Sequence, residues 1–301
     1  MIFHVWRNNM SVSTATAPEL TREQVQTILV KPLEDKSVFL ASGPRIFDTD
    51  GSPVRIPKGG APTSPDWTGE NQQITEKDAT FDEIKLLPST MKSVKVITRY
   101  SNELARQSVV ALDAALRDRL VTDVANKIDT QFLSATGDGT TTPKGLFAHS
   151  GIQTLAVGDE LTLDALIDAW GLALAANVDM GGLRWLMTPR EFVTLRKLKD
   201  AQDRYQLTPD PTKDGVFRLF GAPVTVTARI PDTGGSTSTA RAALVDFSQI
   251  AVARDVAPSV KLLTERYADF DQQAIRVVAR YDAAPINPEA IVALTGITIP
   301  E

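Results

Sequence analysis

One helical pattern constrains this sequence more than any other feature, because it requires a long rod with a single apolar side. Apolar residues recur at intervals of four at Leu112, Leu116, Leu120, Val124, Ile128 and Phe132. That spacing places successive side chains on one face of an α-helix. With Ser101 as N-cap and Gly137 as a C′ glycine, we predict a helix over about 101–135. At 1.5 Å per residue it would be roughly 50 Å long, which suits the spine of an assembly.

Shorter elements surround this helix on both sides. Further helices are predicted over 23–30, 163–177 and 189–199, and strands over 37–40, 183–187, 224–228, 242–246, 260–264, 274–281 and 290–294. The helices and strands alternate without the regular spacing of βαβ units. The fold class predicted from this order is therefore α+β.

The stretch between 41 and 92 has a different residue composition and pattern. Residues 41–69 are rich in Pro and Gly, which excludes a helix there. Residues 80–86 and 93–97 alternate polar and apolar side chains, as half-exposed strands do. We therefore predict that 54–92 is a long two-stranded excursion. An isolated hairpin is marginal in water, so this one is expected to lie on something else, such as another copy of the chain.

Composition removes several classes of protein. The chain has no Cys and only two His, at positions 4 and 149, so disulfides, thiolate metal sites and Cys nucleophiles are excluded. A net charge of −5 argues against a protein that clamps nucleic acid phosphates. The longest apolar stretch, 169–176, is too short to cross a bilayer. The first ten residues do not form a secretory signal, and Met10 is an alternative start.

No motif supports an enzyme, a metal or a cofactor. The glycine-rich stretch 136–145 follows a predicted helix and lacks the GK[ST] end of a phosphate loop. Arg276 and Arg280 share one side of a predicted strand, and with Asp269 and Asp271 they resemble a charged site. Salt bridging at the surface or between subunits is the favoured interpretation. We therefore expect no catalytic residue and no cofactor.

The order of short motifs along the chain is more specific than any one of them. In sequence they are Asp66-Trp-Thr-Gly-Glu70, Thr80-Phe81, Ser101-Asn-Glu-Leu104, Phe132-Leu133, Gly137-Asp-Gly139, Pro143-Lys-Gly-Leu146, Met187-Thr-Pro-Arg190, Leu198-Lys-Asp200, Gly221-Ala-Pro-Val224 and Arg280-Tyr-Asp282. This succession resembles the tailed-bacteriophage major capsid proteins of the Hong Kong 97 fold family, over roughly residues 20–300.

The resemblance implies a division of the chain into capsid domains. It places an N-terminal arm at 1–53, an extended loop at 54–92, a peripheral domain with the spine helix at 93–155, an axial domain at 156–255, peripheral return strands at 256–285, and an axial strand with the C-terminus at 286–301. In such proteins the arm and the extended loop reach over neighbouring subunits. That would account for the excursion at 54–92.

The same resemblance implies a structural function. Copies of the chain would form hexamers and pentamers that close an icosahedral shell around double-stranded DNA, which the shell contacts non-specifically. The expected location is the virion, after assembly in the host cytoplasm and without a membrane. Further partners would be a portal and, in some systems, a separate scaffold, protease or cement protein. Only some fifty residues precede the extended loop, so we expect no internal scaffold of about a hundred residues.

Some relatives cross-link covalently, joining an extended-loop Lys to an Asn on a neighbour with help from a buried Glu. In this sequence Gln273 falls at the Asn position and Arg280 at the Glu position. Arginine cannot accept the proton, so we expect no isopeptide bond and a non-covalent shell. The candidate subunit-contact residues are Trp67, Glu70, Lys77, Arg276 and Arg280.

Two alternatives remain open from the sequence. The first is an encapsulin-like nanocompartment shell, which shares the fold but encloses a cargo enzyme. The second is a hydrolase that uses Asp and Glu chemistry, which would behave as a monomer with a defined turnover.

Overall fold

The structure is a computed structural model that describes residues 36–59, 67–73, 81–87, 92–107, 112–207, 217–234, 238–255 and 259–299. The α-helices are α1 (Val38–Ala41), α2 (Asn102–Gln107), α3 (Leu112–Phe132), α4 (Leu163–Ala175) and α5 (Pro189–Arg196). The strands are β1 (Arg45–Thr49), β2 (Val54–Gly59), β3 (Phe81–Leu86), β4 (Ser93–Ser101), β5 (Gln153–Ala156), β6 (Leu183–Met187), β7 (Arg218–Leu219), β8 (Ala222–Val226), β9 (Thr239–Asp246), β10 (Ile250–Asp255), β11 (Ser259–Leu263), β12 (Gln272–Pro285) and β13 (Ile291–Thr298). The α+β class is confirmed, and the helix predicted over 23–30 lies outside the described residues.

The predicted spine corresponds to α2 and α3, and residues 108–111 between them lie outside the described part. At the start, the Leu104 amide donates to Ser101 Oγ at 3.2 Å, so Ser101 caps the helix as predicted. The stripe side chains Leu120, Val124, Ile128 and Phe132 are buried, which confirms that the stripe faces a core.

The C-terminal end of the spine differs from the prediction. The helix stops at Phe132, so Gly137 is not its C′ residue. Gly137 instead has a φ of +123°, and a Cβ there would lie 2.2 Å from the Pro143 carbonyl oxygen. Glycine is required because the loop folds back on itself at this point.

The spine packs on a five-stranded sheet, and we call the two together the five-stranded unit. Its central strand is the 14-residue β12. β10 and β11 pair antiparallel along one edge of β12, and β1 extends the sheet by pairing parallel to β10. Along the other edge β4 pairs antiparallel over its whole length, from Ser93 opposite Arg280 to Ser101 opposite Gln272. The buried residues Ile275, Val277 and Ala279 alternate along β12 and share one core with the spine.

A second core belongs to a six-stranded sheet in the order β5-β13-β9-β6-β8-β7, which we call the six-stranded unit. Helix α4 follows the N-cap Thr162, since the Ala165 amide donates to Thr162 Oγ1 at 3.3 Å. At the centre lies Trp185, which is fully buried and donates from Nε1 to the Leu219 carbonyl at 3.0 Å. The bond satisfies the indole N–H inside an apolar core.

The excursion at 54–92 contains a hairpin of β2 and β3, with Val54 opposite Leu86 and Gly59 opposite Phe81. The strand predicted over 93–97 is real, but as β4 it joins β12 and not the strand that begins near Thr80. Strand β2 went unpredicted because its Pro and Gly content indicated only that no helix forms there.

The strand predicted over 37–40 is wrong, because this segment forms the helix α1. Ser37 is the N-cap, and the Leu40 amide donates to its hydroxyl at 3.2 Å. The apolar residues in this segment favoured a strand. The Ser37 cap and the buried Asp129 carboxylate of the spine stabilise a helical turn instead. Several other strands run longer than predicted, since sheet pairing continues through residues without clear alternation. The longest is β12, which extends from Gln272 to Pro285.

Candidate intersubunit surfaces

The stretch of chain between β2 and β3 carries a fully exposed aromatic side chain, Trp67. Trp67 has a relative exposure of 106%, and Glu70 nearby is also exposed. The stem below has charged pairs on its surface, with Lys85 Nζ 2.6 Å from Glu83 Oε1. The predicted contact residue Lys77 lies outside the described residues. A fully exposed indole is costly in water, which is typical of a side chain that docks elsewhere.

The base of the hairpin, in contrast, is firmly tied to the five-stranded sheet. Lys92 Nζ lies 2.6 Å from Asp282 Oδ2, and these side chains are only 6% and 2% exposed. The same oxygen accepts from the Leu87 amide at 3.0 Å. Leu87 itself packs with Ala251 and Ala253 of β10. A buried ion pair and an apolar contact therefore hold the point from which the hairpin leaves the sheet.

A second buried carboxylate holds residues 37–39, near the start of the described chain, against the spine. Asp129 of α3 accepts from Ser37 Oγ at 2.5 Å, from the Val38 amide at 2.8 Å and from the Phe39 amide at 3.1 Å. Burial raises the pKa of Asp129, and these hydrogen bonds oppose the shift. Lys36 also bonds Asp118 at 2.8 Å on the same flank of the spine.

The arginines singled out in the sequence lie on the same face of β12, as predicted. Arg280 forms an ion pair with Asp255. Arg276 lies four residues earlier on the strand, and its buried Nε has no hydrogen-bond partner among the described residues. Gln273 points to the opposite, spine-facing side, where its Oε1 accepts from Tyr100 Oη at 3.3 Å. Arg276 and Arg280 therefore share one face of β12, four residues apart.

A groove that the sequence did not reveal lies between the spine and the edge strand β4. Its volume is about 400 Å³, and its floor is mostly apolar, with Val94, Val96 and Ile128 among its lining residues. Lys95 and Lys127 stand at its margins. Neither Lys95 nor Lys127 belongs to a sequence motif. The groove is therefore visible only once α3 is packed on β4.

His149 is half-buried beside the hairpin base. Burial, together with the nearby Lys144, lowers the pKa of His149 to about 4.

Within the described ranges, no group of three or more His, Cys, Asp or Glu side chains could hold a metal ion. In the same part of the chain, no helix is long and apolar enough to span a membrane.

Solved structures with the same arrangement are capsid subunits. The chain superposes on the capsid of a native GTA particle with a TM-score of 0.71 at 18% identity, covering 86% of this chain and 90% of that one. A chain of Microbacterium phage Oxtober96 gives a TM-score of 0.68 at 15% identity, covering 94% and 99%. The fold is therefore the Hong Kong 97-type capsid fold.

Sequence comparison gives the family. The model of the Phage capsid family matches residues 19–296. The major capsid protein of Klebsiella oxytoca phage phiKO2 is 26% identical over 314 aligned positions, which cover 96% of this chain and 71% of that protein. The chain therefore belongs to the phage capsid family, which consists of structural proteins that form virion shells.

Proposed function

We propose that this chain assembles as hexamers and pentamers into an icosahedral phage head that encloses double-stranded DNA. Family membership supports this proposal, and one structural observation carries it. The hairpin is rigidly attached at Lys92 and Asp282, yet it presents the fully exposed Trp67 at its far end. An arm that is fixed at its base and apolar at its tip is suited to contact another copy.

In this proposal the five-stranded unit is the peripheral domain and the six-stranded unit the axial domain. Residues 1–53 form the arm and 54–92 the extended loop. The hydrophobic cluster under α4 lies within the six-stranded unit and supports the division, whereas the cluster around the spine also takes in Leu186, Val245 and Ile291 of the six-stranded sheet. Strand β10, at the end of the predicted axial segment 156–255, pairs with β12 in the five-stranded sheet.

The shell is proposed to be non-covalent. At the positions inferred for cross-linking chemistry, Gln273 contacts Tyr100 and Arg280 is paired with Asp255, so neither supplies a proton-accepting carboxylate. Partners that complete the virion would be a portal and, as separate proteins, a scaffold, protease or cement protein. Assembly is proposed to take place in the host cytoplasm.

Electron microscopy of the expressed full chain tests the proposal. Wild-type protein should form closed shells with five- and six-fold capsomers, and denaturing electrophoresis should show single chains. Trp67→Ala should sharply reduce particle yield while the melting temperature of the free subunit stays the same, because Trp67 is fully exposed there. A monodisperse monomer with no particles would overturn the proposal, and small cages filled with enzyme would favour a nanocompartment.

A further inference from the structure

Strand β4 forms an open edge of the five-stranded sheet. It pairs with β12 along one side over all nine residues, from Ser93 to Ser101, and no other described strand pairs with it. An unpaired edge presents backbone N–H and C=O groups to any chain that can pair with them, so natural proteins usually keep such edges short or interrupt them. This edge is long, and it contains neither Pro nor Gly.

The register shows which backbone groups of β4 point away from the sheet. The Asn102 amide donates to the Asp271 carbonyl at 3.0 Å, and these two residues continue the register of β4 and β12 by one step. Hydrogen-bonded and non-hydrogen-bonded pairs alternate in an antiparallel ladder. The even-numbered residues of β4 therefore bond to β12, whereas the N–H and C=O groups of Lys95, Ile97 and Arg99 point to the open side.

The groove between β4 and the spine lies directly beside this open edge. Side chains alternate along a strand, so Val94 and Val96 face the spine and line the groove together with Ile128. The groove has a volume of about 400 Å³. An extended chain laid against β4 would bond to its backbone and place every second side chain in an apolar cavity. Sheets that bind peptides by β-strand addition combine these same two kinds of contact.

The charges around the edge favour an acidic partner. Lys95 and Arg99 lie on the face of β4 opposite the spine, and Lys127 lines the groove from the spine. Among the described residues, none of these three side chains forms an ion pair. The nearest acidic lining residue, Asp123, is already paired with Arg119 at 3.2 Å. Opposite charges on neighbouring strands stabilise a sheet, so a strand with carboxylates on its outer face would complement this edge.

This chain does not itself supply such a strand. In the full sequence, no five-residue stretch alternates apolar and acidic side chains. Residues 1–35, which lie outside the described part, carry four carboxylates against three basic residues, a net charge of only −1. The missing strand is therefore expected to come from another protein.

We propose that the open edge of β4 and the groove bind an extended segment of a different protein, in which apolar residues that enter the groove alternate with Asp or Glu. The segment adds to the five-stranded sheet as a further strand. Its backbone bonds to the outward groups of Lys95, Ile97 and Arg99, and its carboxylates lie near the basic side chains. The inference goes beyond the proposed function and does not depend on shell assembly, since the edge belongs to the single subunit.

Peptide binding to the unassembled full-length subunit tests this proposal. The probe is a synthetic nine-residue peptide that alternates Val and Glu, and it should bind with an affinity that falls as salt rises. A peptide of the same composition without the alternation should bind at least about tenfold more weakly, because its apolar side chains would not share one face. Methylation of every Glu amide and methylation of every Val amide should have opposite effects, since only one of these sets can donate to β4.

Variants of the subunit locate the binding site. Lys95→Glu/Lys127→Glu should weaken binding of the probe by about tenfold or more, because both charges lie beside the groove. The matched control, Lys197→Glu/Lys261→Glu, reverses two exposed charges elsewhere and should leave binding nearly unchanged. Ile97→Pro removes one outward N–H without breaking a bond to β12, and should weaken binding while the subunit still melts cooperatively.

Three results would overturn the proposal. The first is absence of binding by the alternating peptide, and the second is an equal loss in the groove variant and its control. The third is a peptide of residues 1–35 that binds more tightly than the probe and displaces it, which would assign the edge to the N-terminal segment of this chain. Each of these results leaves the proposed function standing as long as wild-type particles form.

Discussion

The two units of the subunit use buried carboxylates in opposite ways. In the six-stranded unit the buried Asp246 bonds locally, since it accepts from the Ser248 amide at 2.9 Å. In the five-stranded unit they join distant parts of the chain. Asp129 binds residues about 90 positions earlier, and Asp282 binds Lys92 from 190 positions away.

This difference indicates which segments of the chain must be held in a fixed position on the core. A local cap completes a helix or turn that its own core already holds in place. A buried charge that reaches a distant segment fixes where that segment leaves the core, since an unpaired charge there would be costly. The distant segments held in this way are the base of the hairpin and the start of α1. Both attach to the five-stranded unit, which contains the spine.

The largest effect is expected from breaking the tie at the hairpin base. Lys92→Met leaves Asp282 charged and buried, which should reduce the free energy of unfolding of the free subunit by about 3–5 kcal/mol. Urea denaturation measures this loss. Adding Asp282→Asn should recover part of it. Lys85→Met, which breaks an exposed ion pair in the same hairpin, is the matched control and should change little. If Lys92→Met lost as little unfolding free energy as the control, the buried ion pair would be no stronger an attachment than the exposed one.

The next effect is a pH dependence that arises from His149. Because burial lowers the pKa of His149 from 6.5 to about 4, the unfolded chain binds this proton more tightly than the folded one. Its contribution to stability is therefore complete above pH 6.5 and is lost as the pH falls toward 4, by about 3 kcal/mol. Urea midpoints measured for wild type and His149→Gln should diverge in this window. Parallel pH profiles would show that His149 is not responsible.

The smallest effects compare a distant tie with a local cap directly. Ser37→Ala removes a donor to Asp129 as well as the cap of α1, and should cost about 1–2 kcal/mol. Thr162→Ala removes only a cap of α4 and should cost about 1 kcal/mol. Limited proteolysis distinguishes them, because Ser37→Ala should speed cleavage near residue 36 and Thr162→Ala should not. Equal cleavage rates would mean that Asp129 does not hold this segment.

Local patterns predicted the elements whose cause is local. The four-residue stripe identified the buried face of the spine from Leu120 to Phe132, and Ser101 was recognised as a cap because its partner lies three residues away. The reading of 37–40 as a strand failed because Asp129, which helps to set the helical turn there, lies some 90 residues later. Of the candidate contact residues, Arg276 and Arg280 were placed correctly on one face by strand alternation. The order of motifs also pointed to the family that the comparisons confirm.

The α+β class, the apolar side of the spine, the absence of cysteine and the likeness to phage capsid proteins could all be predicted from the sequence. The pairing of β4 with β12 and the burial of Lys92 against Asp282 are set by the tertiary fold. The physical reason is the range of the interactions. Periodicity and capping act within a few residues, whereas sheet pairing and buried charge join residues that are neighbours only after the chain has folded.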